Sequence, residues 1–270
     1  MSEEHPTDQP IVWHYGLMAE RWGEHIHDAP ELPYFQKFIQ RFGEPVLDLA
    51  CGAGRLLLPL LYAGVDIDGC DISQDMLVYP QRKAAAKGFT PNLYAQPMHA
   101  FDLPRRYKTI YICDSFGLAG SREKDQITFR RCYDHLQGGG ALLLNIQAEY
   151  TSADSWKAWL PERRADLPEP WPEEGSVRLA ADGRENIGYF RTVDLNPQEQ
   201  TYTREVRLEK RVNGEITAVE EYTLQGNMYL KNEVLLMLQA AGFHDITLYG
   251  DYTGHPATAE SEEINFVALK

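Results

Sequence analysis

One stretch of the chain alternates between short apolar segments and amphipathic helical segments, and this alternation constrains the fold more than any other feature. Strands are predicted at residues 45–49, 65–70, 92–95, 108–113 and 141–146, and helices at 55–62, 74–87 and 124–136. Repeated strand–helix units imply a parallel sheet with right-handed crossovers. A helix at 232–241 and strands at 246–249 and 264–269 extend the prediction to an α/β fold with seven strands.

The segments on either side of this alternation have different patterns. Residues 11–44 have the spacing of two helices, which predicts a helical cap before the first strand. Residues 187–224 alternate with period two around Asn213 and Gly214, a typical hairpin turn, so an antiparallel sheet is inserted into the α/β fold. We predict four parts: a helical cap (1–45), a ligand-binding core (46–149), the inserted sheet (150–225), which covers a substrate or forms a dimer contact, and the closing helix and strands of the core (226–270).

Composition excludes several classes of function. The chain has 270 residues, of which 43% are hydrophobic. Its net charge of −14 disfavours a nucleic-acid partner, because affinity for nucleic acid depends on cationic side chains. No apolar run is long enough to cross a bilayer and no secretory signal is visible, so we expect no membrane partner and a cytoplasmic location. The four cysteines form no Cys-x-x-Cys pair, and no metal site is predicted.

The chemistry is predicted where the first two strands end. Gly52 and Gly54 follow the first strand and precede a helix, an arrangement that lets a ligand approach the backbone and the helix N-terminus. Asp71 ends the second strand, where an acid accepts hydrogen bonds from ribose hydroxyls. Leu57 stands where a dinucleotide fingerprint requires a third glycine, and no lysine follows the glycines as a P-loop would require. This pattern suits a ligand with ribose, adenine and an ammonium group but no phosphate.

At these positions the chain resembles the class I S-adenosylmethionine-dependent methyltransferases. The resemblance rests on residues 48–55 (DLACGAGR) and 66–77 (DIDGCDISQDML), on 135–144 (HLQGGGALLL) and on 232–243 (NEVLLMLQAAGF). It covers roughly residues 46–147 and 226–270. It implies a Rossmann-like, seven-stranded, mostly parallel sheet with helices on both faces. It also implies S-adenosylmethionine as cofactor, and the inserted sheet is similar to that of members that act on small molecules.

The resemblance implies a set of cofactor-binding residues. Asp48 would support the loop, Asp71 would bind the ribose, and Asp114 would lie near the transferable methyl group. The methionine part of the cofactor would be lined by Ala50, Cys51, Gly52 and Gly54. Adenine would be contacted by Ile72, Met76, Met98 and His99, and Tyr15 would close over the cofactor. Pro97 departs from the family pattern, in which an Asp at this position accepts from the adenine amine.

The predicted function is transfer of a methyl group to nitrogen or oxygen of a small-molecule acceptor by in-line displacement. Orientation and exclusion of water supply most of the catalysis in such a reaction, so a dedicated base is optional. The candidates for one are His14, Tyr15, His99, Asp114 and Glu149. Two alternatives stay open, a non-catalytic S-adenosylmethionine-binding protein and an NAD-dependent oxidoreductase. A homodimer is a further possibility.

Overall fold

A computed structural model describes residues 14–25, 28–118, 120–180 and 182–270, so part of the predicted cap lies outside the described residues. The strands are β1 (Val46–Leu49), β2 (Ile67–Asp71), β3 (Asn92–Ala95), β4 (Tyr107–Ile112), β5 (Leu136–Gln147), β6 (Ser176–Leu179), β7 (Glu185–Asn196), β8 (Thr201–Val212), β9 (Glu215–Asn227), β10 (His244–Gly250), β11 (His255–Pro256) and β12 (Glu263–Leu269). The helices are α1 (Gly16–His25), α2 (Leu32–Phe42), α3 (Leu57–Tyr62), α4 (Gln74–Ala85), α5 (Arg122–His135), α6 (Ala153–Ala158), α7 (Pro161–Arg164) and α8 (Lys231–Ala240).

The central sheet confirms the predicted α/β class. Among the described residues its order is β11-β10-β12-β5-β4-β1-β2-β3. The pairs from β5 to β3 are parallel, and those involving β12, β10 and β11 are antiparallel. The predicted number of seven strands was wrong by one, because the two-residue strand β11 pairs with the edge of β10. So short a strand carries no alternation that a sequence pattern could reveal.

Each face of this sheet is covered by helices because its strands are apolar on both sides. Leu47 and Leu49 of β1 point to the face covered by α5 and α8, whereas Val46 packs with α2, α3 and α4 on the other. Two buried clusters therefore sandwich the sheet and hold the carboxyl ends of its parallel strands in fixed positions. No helix within the described ranges is long and apolar enough to cross a membrane.

The inserted segment forms the predicted antiparallel sheet, in the order β6-β7-β8-β9. Asn213 and Gly214 both have positive φ, as the predicted two-residue hairpin between β8 and β9 requires. The sequence analysis did not find β6, α6 or α7. Helix α1 joins this sheet to the core, because its Leu17 and Met18 pack against β8.

The glycines at 138–140 were predicted to lie between helix and strand. Instead, α5 ends at His135 and β5 begins at Leu136, so the glycines lie within the strand. Gly139 has a φ of 73°, and a Cβ on Gly140 would come within 2.8 Å of the Lys108 carbonyl oxygen. The strand can pass through this stretch only because no side chains are present.

Candidate active site

The turn from β1 into α3 has a backbone that strongly favours glycine. Gly52 and Gly54 have φ values of 51° and 81°, and Ala50, which has a side chain, also has a positive φ of 66°. The amides of Ala50 and Cys51 donate to the Cys70 carbonyl at 2.7 and 3.0 Å, which ties the turn to β2. Backbone strain of this kind is concentrated at functional sites, where the surrounding structure holds the strained residues in place.

Asp71 lies at the carboxyl end of β2, and its carboxylate is oriented by the backbone. One oxygen accepts from the Gly52 amide and the other from the Ser73 amide, each at 2.8 Å. The side chain is buried, and burial raises the pKa of its carboxyl while these two amides favour the charged form. Each oxygen keeps a lone pair for a ligand, so the group can accept from two neighbouring hydroxyls.

A cavity of about 370 Å³ opens at the carboxyl ends of the parallel strands, within the ~300–1,000 Å³ typical of small-molecule sites. It brings together most of the predicted site residues. Those that line it are His14, Asp48, Ala50, Cys51, Gly52, Asp71, Ile72, Met76, Met98, His99 and Asp114. These residues come from the ends of β1, β2 and β4, from the loop after β3 and from the N-terminal cap, so their convergence agrees with the predicted crevice at the carboxyl edge of the sheet.

Three predicted residues do not line the cavity. Tyr15 lies beside it, where its hydroxyl donates to the Ile72 carbonyl at 3.4 Å. Gly54 faces α4 instead, since a Cβ there would lie 2.8 Å from the Cβ of Pro80, so it allows helix packing rather than ligand approach. Glu149 lies in a short 3-10 turn after β5, and the structure does not bring it to the cavity.

Asp114 stands at the end of β4 with a φ of 54°, which is unusual for a residue with a side chain. One carboxylate oxygen accepts from the Asn145 amide at 2.7 Å and from the Tyr252 hydroxyl at 3.1 Å. The other accepts from Arg55 at 3.1 Å, and Arg55 also forms an ion pair with the buried Glu31. Because these donors hold its carboxylate, Asp114 is suited to orienting a ligand.

The same corner contains a cluster of possible metal ligands. Glu31, Cys113 and Asp114 place one ligand atom each within 4.8 Å of one another. The guanidinium of Arg55 contacts both carboxylates of this cluster and already supplies the positive charge there. The geometry therefore fits an arginine-centred ion-pair network.

Burial changes the acid–base behaviour of three groups in the cavity. It lowers the pKa of His14 to about 4 and also lowers that of His99, so both imidazoles are neutral at pH 7. It raises the pKa of Asp48 to about 8, so this carboxyl is largely protonated at pH 7. His14 is consequently a weak base, although its backbone oxygen has a structural role in accepting from Ser73 Oγ.

Several residues of the lining were not predicted. They are Trp22, Ala53, Arg55, Leu56, Pro97, Cys113, Ser115, Leu118, Gly120, Lys124, Asp125 and Thr128. Asp125 is the notable omission, because it is a buried carboxylate on the first turn of α5. The position of α5 offers a signal that could have found it. A helix that starts just after β4 must present its first turns to the carboxyl edge of the sheet.

The comparison with known families decides what kind of domain forms this cavity. Residues 46–140 match a family model described as a methyltransferase domain. This segment is a methyltransferase domain. Its bounds include β1 to α5 and therefore the glycine turn, Asp71 and Asp114. The predicted resemblance to class I S-adenosylmethionine-dependent methyltransferases is confirmed, and this part of the chain has the domain of a methyltransferase.

Relatives extend the similarity beyond the methyltransferase domain. A candidate methyltransferase of Geobacillus sp. (strain WCH70) is 24% identical over 264 residues, which cover 96% of this chain and 97% of that protein. An S-adenosylmethionine-dependent methyltransferase from Clostridium acetobutylicum superposes with a TM-score of 0.68 at 16% identity, covering 90% of this chain and 92% of that one. The sugar N-methyltransferase KedS8 from Streptoalloteichus superposes with a TM-score of 0.64 at 19% identity, covering 90% and 87%. These superpositions show that the fold is shared.

Proposed function

We propose that this chain transfers a methyl group from S-adenosylmethionine to nitrogen or oxygen of a small-molecule acceptor. The observation that carries the proposal is that one cavity joins the Asp71 carboxylate, the open glycine turn and the Asp114 carboxylate. The first two suit an adenosyl ligand and the third lies where an acceptor can be oriented. When bound, the cofactor supplies a sulfonium methyl group that a nucleophile can displace in line.

The residues of the cavity fit this cofactor part by part. The carboxylate of Asp71, held by two amides, is prepared for the ribose hydroxyls. Ile72 and Met76 provide apolar contact for the adenine. The backbone at Cys51 and Gly52 leaves room for the methionine part, since a Cβ on Gly52 would meet only Met76 Cε at 3.6 Å. Each of these roles is a proposal for this chain.

The cap and the inserted sheet would complete the site by excluding water. Helix α1 contributes Trp22 to the lining and is fixed to the core where the Gly16 amide donates to Asp75 at 2.8 Å. It is fixed to β9 where the Leu17 amide donates to Glu220 at 2.7 Å. We therefore propose that residues 1–45 and 150–225 act together as a cover over the core, and that α1 is the part that reaches the ligand.

An amine is the acceptor that we favour. Asp114 and the neighbouring Glu31 place two carboxylates against the single guanidinium of Arg55, so this corner has an excess of negative charge. An ammonium group would be attracted there and oriented by Asp114, which is fixed by Asn145 and Tyr252. KedS8, which has the same fold, is a sugar N-methyltransferase.

The proton that an acceptor releases needs a destination. Asp114 already accepts hydrogen bonds from Arg55, Asn145, Tyr252 and Cys113, so its carboxylate is better suited to orienting the acceptor than to removing its proton. His99, together with Met98, belongs to the part of the lining expected to contact adenine, and the pKa of His14, near 4, makes it a weak acceptor. We propose that Asp114 orients the acceptor and that water removes the proton.

The proposal is tested by following methyl transfer from labelled S-adenosylmethionine to a panel of amino sugars, other small amines and matched alcohols. Transfer to at least one amine is expected. Asp114→Asn should reduce kcat/KM for that acceptor at least tenfold while the affinity for S-adenosylhomocysteine changes less than threefold. Binding of S-adenosylmethionine without transfer to any panel member or cell extract would instead support a non-catalytic binding protein.

A further inference from the structure

Asp125 is a buried carboxylate of the cavity for which the proposed mechanism has no use. Its side chain is 3% exposed and lies on the first turn of α5, next to the cavity wall formed by Pro97, Met98 and His99. It is near enough to His99 for the charges of the two groups to influence each other. A carboxylate buried in this way needs partners for both oxygens.

Among the described residues, one of these oxygens has hydrogen-bond partners and the other has none. Oδ2 accepts from the Asn227 amide at 2.7 Å and from the Tyr229 hydroxyl at 2.6 Å. Oδ1 accepts no hydrogen bond from any residue within the described ranges. It lies beside Gly120, where a Cβ would come within 3.1 Å of it. The absence of a side chain at Gly120 therefore keeps Oδ1 open on the side of the cavity.

The side chains that line this wall do not use Oδ1. Those of Pro97 and Met98 carry no group that donates a hydrogen bond, and among the described residues neither the His99 ring nor the Lys124 ammonium donates to Oδ1. The hydroxyl of Thr128 donates to the Lys124 carbonyl of its own helix at 3.0 Å. A donor brought by a ligand to this wall would thus meet a carboxylate oxygen that Asn227 and Tyr229 hold in place, and a hydrogen bond to a charged oxygen is stronger than one between neutral groups.

The orientation of the cofactor in the proposed function decides which donor this is. Asp71 holds the ribose, and the methionine part extends along the glycine turn toward Asp114. The base, on the opposite side of the ribose, is directed to the wall that contains Met98 and Asp125. We propose that Oδ1 of Asp125 accepts a hydrogen bond from the 6-amino group of adenine and so selects adenine over a 6-oxo purine. This inference rests on the proposed function.

The arrangement predicts an unusual outcome for Asp125→Asn. Asn227 and Tyr229 both donate to the Oδ2 position, so the amide oxygen of the variant must take that position. Its NH₂ group then occupies the Oδ1 position and faces the ligand. An NH₂ group there repels the 6-amino group of adenine but donates to a 6-oxo group. The preference should therefore reverse, and not merely weaken.

The test is calorimetry with S-adenosylhomocysteine and its 6-oxo analogue, S-inosylhomocysteine. The wild-type protein is expected to bind the 6-amino compound at least tenfold more tightly, and Asp125→Asn is expected to bind the 6-oxo compound equally or more tightly. Tyr229→Phe is the matched control, because it removes a donor to Oδ2 but keeps the carboxylate, and it should retain the wild-type preference. A loss of preference in this control as large as in Asp125→Asn would assign Asp125 a purely structural role.

Two further outcomes separate this inference from the proposal on which it rests. If wild-type protein binds S-adenosylhomocysteine but Asp125→Asn keeps the wild-type ratio of affinities, the inference is wrong and the proposed function stands. If wild-type protein binds neither compound, the proposed function fails and the inference fails with it. Should Asp125→Asn not fold, Gly120→Ala provides the same readout. Its Cβ would crowd Oδ1, so at least a threefold loss of preference is expected, and an unchanged ratio would overturn the inference.

Discussion

Replacing Asp71 by Asn tests the ribose contact with minimal change of shape. The wild-type carboxylate accepts from the Gly52 and Ser73 amides, each at 2.8 Å, so both of its oxygens are oriented by the backbone. An Asn side chain has one oxygen and one NH₂ group, and the NH₂ group must face one of these two N–H donors. The substitution therefore removes the charge presented to the ligand and leaves one backbone donor without an acceptor.

The loss of affinity follows from the hydrogen bonds involved. Two ribose hydroxyls can donate to the carboxylate, and a hydrogen bond to a charged group contributes about 1.5–3 kcal/mol. Weakening both to the level of neutral hydrogen bonds costs about 2–3 kcal/mol in binding. At ~1.4 kcal/mol for each factor of ten, the affinity for S-adenosylhomocysteine should fall about 30- to 100-fold. Asp71→Ala removes the acceptor of both backbone amides, one of which belongs to the glycine turn. Its effect on the affinity for S-adenosylhomocysteine should therefore be at least as large.

Calorimetry with S-adenosylhomocysteine measures this loss directly. Asp134→Asn is the matched control, since Asp134 is an exposed acid at the far end of α5 that forms an ion pair with Arg130 at 3.4 Å. This control should bind as wild-type protein does. A thermal melt of each variant separates a binding defect from misfolding. If Asp71→Asn folds and binds within threefold of wild type, the assignment of Asp71 to the ribose is refuted.

Three other predictions concern the residues around the cavity. Burial raises the pKa of Asp48 to about 8, so the folded state retains a proton that the unfolded state releases above about pH 4, and stability falls as pH rises through this range. Asn does not ionise, so the thermal stability of Asp48→Asn relative to wild type should increase from pH 5 to pH 8, and parallel profiles would contradict this. Gly54→Ala should destabilise the fold by about 2–3 kcal/mol in denaturant melts, because the new Cβ would come within 2.8 Å of α4. Gly64 has a similar φ but open space around it, so Gly64→Ala should cost only about 1 kcal/mol. Equal losses in the two variants would refute the packing role of Gly54. Arg55→Gln should lower the free energy of unfolding by about 2–3 kcal/mol in the same measurement, because it leaves the buried Glu31 carboxylate without its cation. A loss below about 0.5 kcal/mol would show that the stability of the fold does not depend on this ion pair.

Position could be predicted from the sequence where local pattern and topology determine it. Asp48, Gly52 and Asp71 could be placed beside one cavity because they lie near the ends of β1 and β2, and parallel strands bring their carboxyl ends to one edge. The Asn213–Gly214 turn was predictable because few other residue pairs adopt two consecutive positive φ values.

It failed where position depends on packing between distant segments. Asp125 belongs to a helix whose sequence is that of an ordinary capped, charged helix, and its partners Asn227 and Tyr229 lie about a hundred residues away. Gly54 occurs in the motif, yet its contact is with Pro80, which no local pattern connects to it. Glu149 was predicted as a candidate base because it follows a strand, but it lies in a 3-10 turn and does not line the cavity.

Calorimetric titration of wild-type protein with S-adenosylmethionine, S-adenosylhomocysteine and NAD⁺ tests the central claim most directly. The account predicts saturable binding of both adenosyl compounds at one site per chain and no detectable binding of NAD⁺, because the turn after β1 lacks the third glycine of a dinucleotide site. Binding of NAD⁺ in preference to S-adenosylmethionine, or binding of neither, would contradict it.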